Sequence, residues 1–247
     1  LEIGKAWGDG AGAGKERLKS VRPSGITQPQ VSAALRPGSR RFQVDFSPRG
    51  IDLESFPYGV WRKISKDTLV DDNREMFLAG DRQGEPALRE AIRDYLHAAR
   101  GVVCETEQIV IGAGSEYLLM LLMGMLGRSH TVAMESPTYK QAYRVLAGQG
   151  VKVCPVGMDS RGMRVDALEA SGADIAYVMP SHQFPTGIVM PVRRRQELLQ
   201  WACRREGRFL IEDDYDSEFR YKGKPIPALQ GMDTAGRVIY IGTFSKS

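Results

Sequence analysis

Short apolar segments alternate with helix-patterned segments from about residue 42 to the end of this chain, and that alternation restricts the fold more than any other feature. Gln108–Gly112, Thr131–Met134, Val151–Val156, Ala173–Met179, Phe209–Ile211 and Val238–Ile241 read as strands. Between them, Pro86–Arg100 puts Leu88, Ala91, Ile92, Tyr95, Leu96 and Ala99 on one face, with Pro86 placed to open that helix and Gly101 to close it. Ser115 is positioned to cap a helix reaching Leu126, and another runs from about Thr138 to Ala147, stopping near Gly148 and Gly150. Asp166 is expected to cap a short helix, and Pro191 to open Val192–Glu206 with Leu198, Leu199 and Ala202 inward. Short strands alternating with helices predict an α/β fold with a mostly parallel sheet flanked by helices. There is no internal repeat.

Composition narrows the classes further. The apolar fraction of 42% and charged fraction of 26% are those of a soluble globular protein. No run of about 18 apolar residues exists, so no membrane span is expected. Cys104, Cys154 and Cys203 are isolated, and His97, His130 and His182 are scattered. That argues against a disulfide framework or a metal site and suits a reducing cytoplasm. The charge is uneven: residues 1–41 carry eight Lys/Arg against three acids, which leaves the rest near neutral. With its run of glycines and scattered prolines, this basic arm reads more readily as a flexible linker than as a nucleic-acid contact. The chain opens without an initiator Met or a signal-peptide core, and is expected to be part of something longer.

In parallel α/β sheets, ligands collect beyond the carboxyl ends of the strands. After Gln108–Ile111 comes Gly112–Glu116, a glycine-rich turn into a helix N-terminus, where free N–H groups favour a phosphate. A plain turn with Ser115 as cap is the simpler reading of that segment alone. After Thr131–Met134, Glu135–Tyr139 sets an aromatic ring at the sheet mouth; by itself Tyr139 reads first as ordinary packing. After Ala173–Met179, two prolines and a glycine stiffen the polar loop Pro180–Gly187, which contains His182. After Phe209–Ile211 stand four acids, Glu212, Asp213, Asp214 and Asp216. Buried unpaired carboxylates are costly, so something cationic should compensate them. A divalent metal is the rival, yet no histidine or second acidic cluster stands near in sequence. The last strand runs into Gly242–Ser247, where Lys246 sits among hydroxyls without a GxxxxGK pattern before it. Such an amine can form an imine with an aldehyde cofactor.

Ser181–Gly187 (Ser-His-Gln-Phe-Pro-Thr-Gly), the acidic segment from Ile211 to Tyr221 and the closing Ile241–Ser247 occur in one order and spacing. Together with Gly80–Ile92, they resemble fold-type I pyridoxal-phosphate aminotransferases, and within them the MocR/GabR-type bacterial regulators of the GntR family. In those regulators a winged-helix DNA-binding domain is tethered to an aminotransferase-like domain. The resemblance covers residues 42–247. It implies a large pyridoxal-phosphate-binding domain truncated on its C-terminal side, with the small C-terminal domain absent.

Residue by residue, the resemblance implies that Lys246 forms the Schiff base with pyridoxal 5'-phosphate. Asp213 would pair with the pyridine nitrogen, although the motif's register admits Asp214 instead. Tyr215 would donate to the ring's phenolate oxygen, and Tyr139 would stack on the ring. Gly114, Ser115 and Glu116 would cradle the phosphate, with Ser245 or Thr243. The family's asparagine before Pro-Thr-Gly is Phe184 here, so His182 or Gln183 replaces it, or Tyr215 serves alone. The implied ligand is a small amino compound, bound by a cytoplasmic homodimer that meets DNA only through a domain outside this chain. A working aminotransferase, exchanging amino groups between an amino acid and a 2-oxo acid, uses the same residues and stands as the alternative.

Overall fold

The computed structural model describes residues 54–216 and 227–244. The linker expected over residues 1–41, its boundary at residue 42, Ser245 and Lys246 lie outside the described residues. Two compact units divide the chain between Thr68 and Leu69. Within the first, α1 (Tyr58–Thr68) is an amphipathic helix with no buried residue, and Phe56 packs edge-on against Tyr58 and parallel to Trp61.

In the second unit the alternation becomes a six-stranded sheet. Its strands are β1 (Thr131–Ser136), β2 (Lys152–Asp159), β3 (Gly162–Met163), β4 (Ile175–Val178), β5 (Phe209–Asp214) and β6 (Val238–Gly242). They lie in the order β3-β2-β1-β4-β5-β6, all parallel except the two-residue β3, which turns back antiparallel on β2. β4 is buried along its whole length, as an inner strand covered on both faces must be.

Helices cover both faces. On one, α3 (Ser115–Leu126) and α4 (Lys140–Gly148) pack Leu119, Met123, Ala142 and Leu146 against Val132, Met134, Ile175, Tyr177, Ile211 and Ile241. On the other, α5 (Val165–Ala170) and α6 (Val192–Cys203) bring Leu168, Leu198, Trp201 and Ala202 against Ala133, Ala176, Val178 and Leu210. The helix after β1 and the helix after β4 thus lie on opposite faces. The crevice between the carboxyl ends of β1 and β4 is therefore the topological switch point.

Several boundaries fall where local chemistry places them. α2 spans Pro86–Arg100 with Pro86 in its first turn, and Gly101 ends it in the left-handed region at φ 66°. Its apolar stripe is only partly covered, since Leu88 and Tyr95 are exposed. Other expectations need correcting. Gln108–Gly112 is not a strand: a 3-10 turn covers Thr106–Gln108, and the extended residues after it reach another segment through a single backbone bond among the described residues, Ile111 N to Gln83 O at 2.7 Å. Ser115 is the first helical residue, and Gly114 at φ 95° is the cap. Asp166 also lies inside its helix, where it accepts from Arg164 rather than capping. Both misplacements have one cause, because a polar side chain fits the cap and the first turn almost equally well.

Candidate functional site at the carboxyl ends of the strands

Side chains alternate across a strand, so the acids of β5 are sorted by face. Glu212 and Asp214 point the same way as Leu210; Asp213 points with Ile211 toward α3 and α4. Their surroundings differ accordingly.

Glu212 is fully buried and accepts the backbone N–H groups of Leu229 and Gln230, both at 2.8 Å. Burial still pushes its carboxyl up to about 7. Asp214 Oδ2 accepts Arg100 Nε at 2.9 Å and the Tyr240 hydroxyl at 2.7 Å. Arg100 also donates to Ser181 Oγ at 2.6 Å. The compensating cation expected for the acidic strand end is therefore Arg100, from the last turn of α2, and it serves Asp214.

Asp213 is 7% exposed and accepts a hydrogen bond from the hydroxyl of Tyr177 on β4 through Oδ2. Its other oxygen, Oδ1, has no hydrogen-bond partner among the described residues, and no described cation pairs with it. Burial pushes the carboxyl up to about 6 against the Tyr177 bond, and Asp214 and Asp216 add to the rise. Among the described residues no group of three or more His, Cys, Asp or Glu could hold a metal ion.

Two of the other expected residues, Tyr139 and Tyr215, feel this carboxyl. Tyr139 caps α4, and burial, Glu116 and Asp213 together push its phenol up, so the head of α3, Tyr139 and Asp213 share one neighbourhood. Its ring meets Phe184 edge-on at 6.0 Å between centroids. Tyr215 is half-buried, and burial together with Asp216, Asp213 and Asp214 pushes its hydroxyl up to about 12. Gly114 opens α3, leaving the amides of Ser115 and Glu116 in a first turn that has no intrahelical acceptor. A side chain at Gly112 would run into Leu118 Cδ2 at 2.6 Å, so the glycine allows the turn to close on the helix. Thr243 is half-buried just past β6.

Two residues considered as replacements for the family's asparagine behave differently. Gln183 is buried; its Nε2 donates to the carbonyls of Pro137 and Phe184, both at 2.8 Å, and its Oε1 accepts from Thr186. The Nε2 end thus ties the Tyr139 loop to the Phe184 loop, and the Oε1 end braces the Phe184 loop internally. His182 is half-buried, with Nδ1 2.9 Å from Asp216 Oδ1.

Arg100, Tyr177, Ser181 and Tyr240 were not anticipated as parts of this region. Tyr177 carried a signal: a phenol in an otherwise apolar buried strand needs a partner for its hydroxyl. Arg100 carried none, because its partner lies 114 residues away.

A parallel sheet in this order, with a glycine-capped helix, an aromatic cap and a buried acid around its switch point, defines the large domain of a pyridoxal-phosphate-type transferase fold. The chain belongs to the aminotransferase class I and II family, whose model matches residues 52–247. It is 43% identical over 231 residues to the uncharacterized HTH-type transcriptional regulator YhdI of Bacillus subtilis, covering 92% of this chain and 49% of that protein. It is 34% identical over 206 residues to the probable rhizopine catabolism regulatory protein MocR of Rhizobium meliloti, covering 83% of this chain and 42% of that protein. The Pyrococcus horikoshii kynurenine aminotransferase, solved in complex with PMP, superposes with a TM-score of 0.70 at 30% identity, covering 78% of this chain and 50% of that one. The chain spans about half the length of the curated relatives it matches.

Proposed function

We propose that this chain is the cofactor-binding part of an aminotransferase-like domain that holds pyridoxal 5'-phosphate and reads a small amino compound for a MocR/GabR-type transcriptional regulator. The observation that carries the reading is Asp213. It is a buried acid at the carboxyl end of β5, one strand from the switch point, with one oxygen bound by a neutral phenol and the other without a partner among the described residues. A protonated pyridine nitrogen is the kind of group such a carboxyl accepts, since an opposite charge favours its ionised form. The rival position, Asp214, already has Arg100 and Tyr240 on the opposite face.

The other residues fit the same group. The amides of Ser115 and Glu116 after Gly114 suit a phosphate, with hydroxyls from Thr243 and Ser245. Tyr139 offers an aromatic face. Tyr215 keeps its proton far above neutral pH, so its hydroxyl serves as a donor to the ring oxygen, with His182 as the neighbouring donor. Lys246 provides the amine that holds the cofactor covalently and moves protons if turnover occurs. Bound pyridoxal phosphate supplies an electron sink for bond changes at an amino-bearing carbon. Asp213 serves that chemistry by retaining a proton on the ring nitrogen.

The regulator reading rests on the relatives, which are named as transcriptional regulators. DNA contact belongs to a domain outside this chain, and the assembly is taken to be a cytoplasmic homodimer. No described helix is long and apolar enough to cross a membrane. A catalytic aminotransferase is the second reading, favoured by the 30% identity to a kynurenine aminotransferase. The test is to titrate the full-length protein with pyridoxal phosphate, following visible absorbance, and then to add amino compounds while monitoring operator binding. A ligand-dependent change in DNA affinity without 2-oxo acid turnover supports the regulator. Turnover without any DNA effect supports the enzyme, and no visible band with pyridoxal phosphate overturns both.

A further inference from the structure

The register of β4 on β5 pairs Tyr177 with Ile211 and Val178 with Glu212. Tyr177 therefore stands on the same face as Asp213, one pleat lower, and its fully buried ring reaches up so that the hydroxyl meets Asp213 Oδ2. On the other side β6 sets Ile241 opposite Asp213, which gives the carboxyl an apolar flank. One neutral donor and one hydrocarbon wall are thus its immediate cross-strand neighbours.

From this geometry we infer that Tyr177 is a positioning residue for Asp213: it clamps Oδ2, turns Oδ1 to the site and holds the carboxyl in its ionised form. The inference rests on the reading of Asp213 as the ring-nitrogen partner, but the clamp itself belongs to the protein alone. A hydrogen bond to a carboxylate favours the charged state, opposing the burial that favours the neutral one. The phenol cannot reverse its role, because burial and the adjacent Asp213 push Tyr177 well above the usual tyrosine range. It remains a donor wherever the protein is folded. Without the hydroxyl, Asp213 would keep its own proton and have less hold on a proton at a ligand nitrogen.

Other ionisable groups around Asp213 bear on the same equilibrium. Asp214 and Asp216 on its own strand and loop raise its affinity for a proton. Tyr215 follows on the same loop, and Tyr139 at the head of α4 feels both Asp213 and Glu116 of α3. Glu135 of β1 acts on Tyr177, and His182 pairs with Asp216. Among the described residues that act on Asp213, Tyr177 lowers its proton affinity while Asp214 and Asp216 raise it.

The test uses the full-length protein, first without cofactor, following the Asp213 carboxyl by infrared difference spectroscopy with Asp213→Asn to assign its band. Tyr177→Phe is expected to raise the protonation midpoint by about one unit or more, the scale for one lost hydrogen bond to a charged group. Site-specific fluorotyrosine at position 177, a stronger donor of nearly the same shape, is expected to lower it. That second variant keeps the test decisive if Tyr177→Phe folds poorly. An unchanged midpoint in a folded Tyr177→Phe protein, or no downward shift with fluorotyrosine, overturns the inference. In the loaded protein, the pH midpoint of the cofactor's visible band should move with the same variants. If the wild type fails to bind pyridoxal phosphate, the functional reading falls while the apo titration still decides the role of Tyr177.

Discussion

Arg100 Nε lies 2.9 Å from Asp214 Oδ2, with both side chains almost wholly buried, so the end of α2 is tied to the end of β5 by an ion pair. Tyr240 and Ser181 complete the cluster from β6 and from the loop after β4. The cluster holds four segments together directly behind the face that carries Asp213.

Removing one partner of a buried pair strands the other. Arg100→Leu is expected to destabilise the protein by about 3–5 kcal/mol. Asp214→Asn should cost less, because the amide oxygen still accepts from Arg100 and Tyr240. Urea denaturation of the full-length variants measures both, and a loss under about 1 kcal/mol for Arg100→Leu would show that the pair contributes little.

The two neighbouring acids should separate by phenotype. Asp213→Asn is expected to leave folding and covalent capture of pyridoxal phosphate intact while altering the pH response of its visible band. Asp214→Asn should lower stability and leave that response close to wild type. If Asp214→Asn instead changes the spectrum and Asp213→Asn is silent, the assignment to Asp213 is wrong by one residue.

Lys246→Ala should abolish both the visible absorbance of bound cofactor and its trapping by borohydride. Peptide mapping of the reduced wild-type protein is the check. A label on any other lysine refutes the proposed attachment point.

Stability should also depend on pH through the buried acids. Glu135 and Glu212 are both pushed up to about 7 by burial, above the 4.5 of the exposed side chain. The folded state then binds more protons than the unfolded state between those values. Stability is greatest below about 4.5 for these groups and declines as pH rises toward 7, by up to about 3 kcal/mol per group. Glu135, whose Oε1 has no hydrogen-bond partner among the described residues, is the clearer case. Glu135→Gln should flatten the slope in urea melts between pH 5 and 8, and an unaltered slope would remove Glu135 as its source.

Much of the fold was legible because its signals are local. Pro86 and Gly101 bracket α2 at the residues where the helix begins and ends, since a missing N–H suits the first turn and a left-handed residue suits the stop. The apolar runs that became β4 and β5 announced buried parallel strands, and the glycines at 112 and 114 announced a turn into a helix. Gln108–Gly112 misled for the same reason: an apolar run states that a segment can pair, whereas pairing needs a neighbouring strand at the right height.

The identities of the acids were in the sequence from the start, together with the argument that buried carboxylates demand compensation. What answers each of them was decided only by tertiary structure. The parallel register sets Tyr177 beside Asp213 and sends Asp214 to the opposite face, where α2 delivers Arg100 from 114 residues away. Periodicity along a chain specifies which faces are apolar, but it carries no information about which distant side chain will stand within hydrogen-bond distance. That pairing follows from strand order, register and crossover, and those exist only once the sheet has formed.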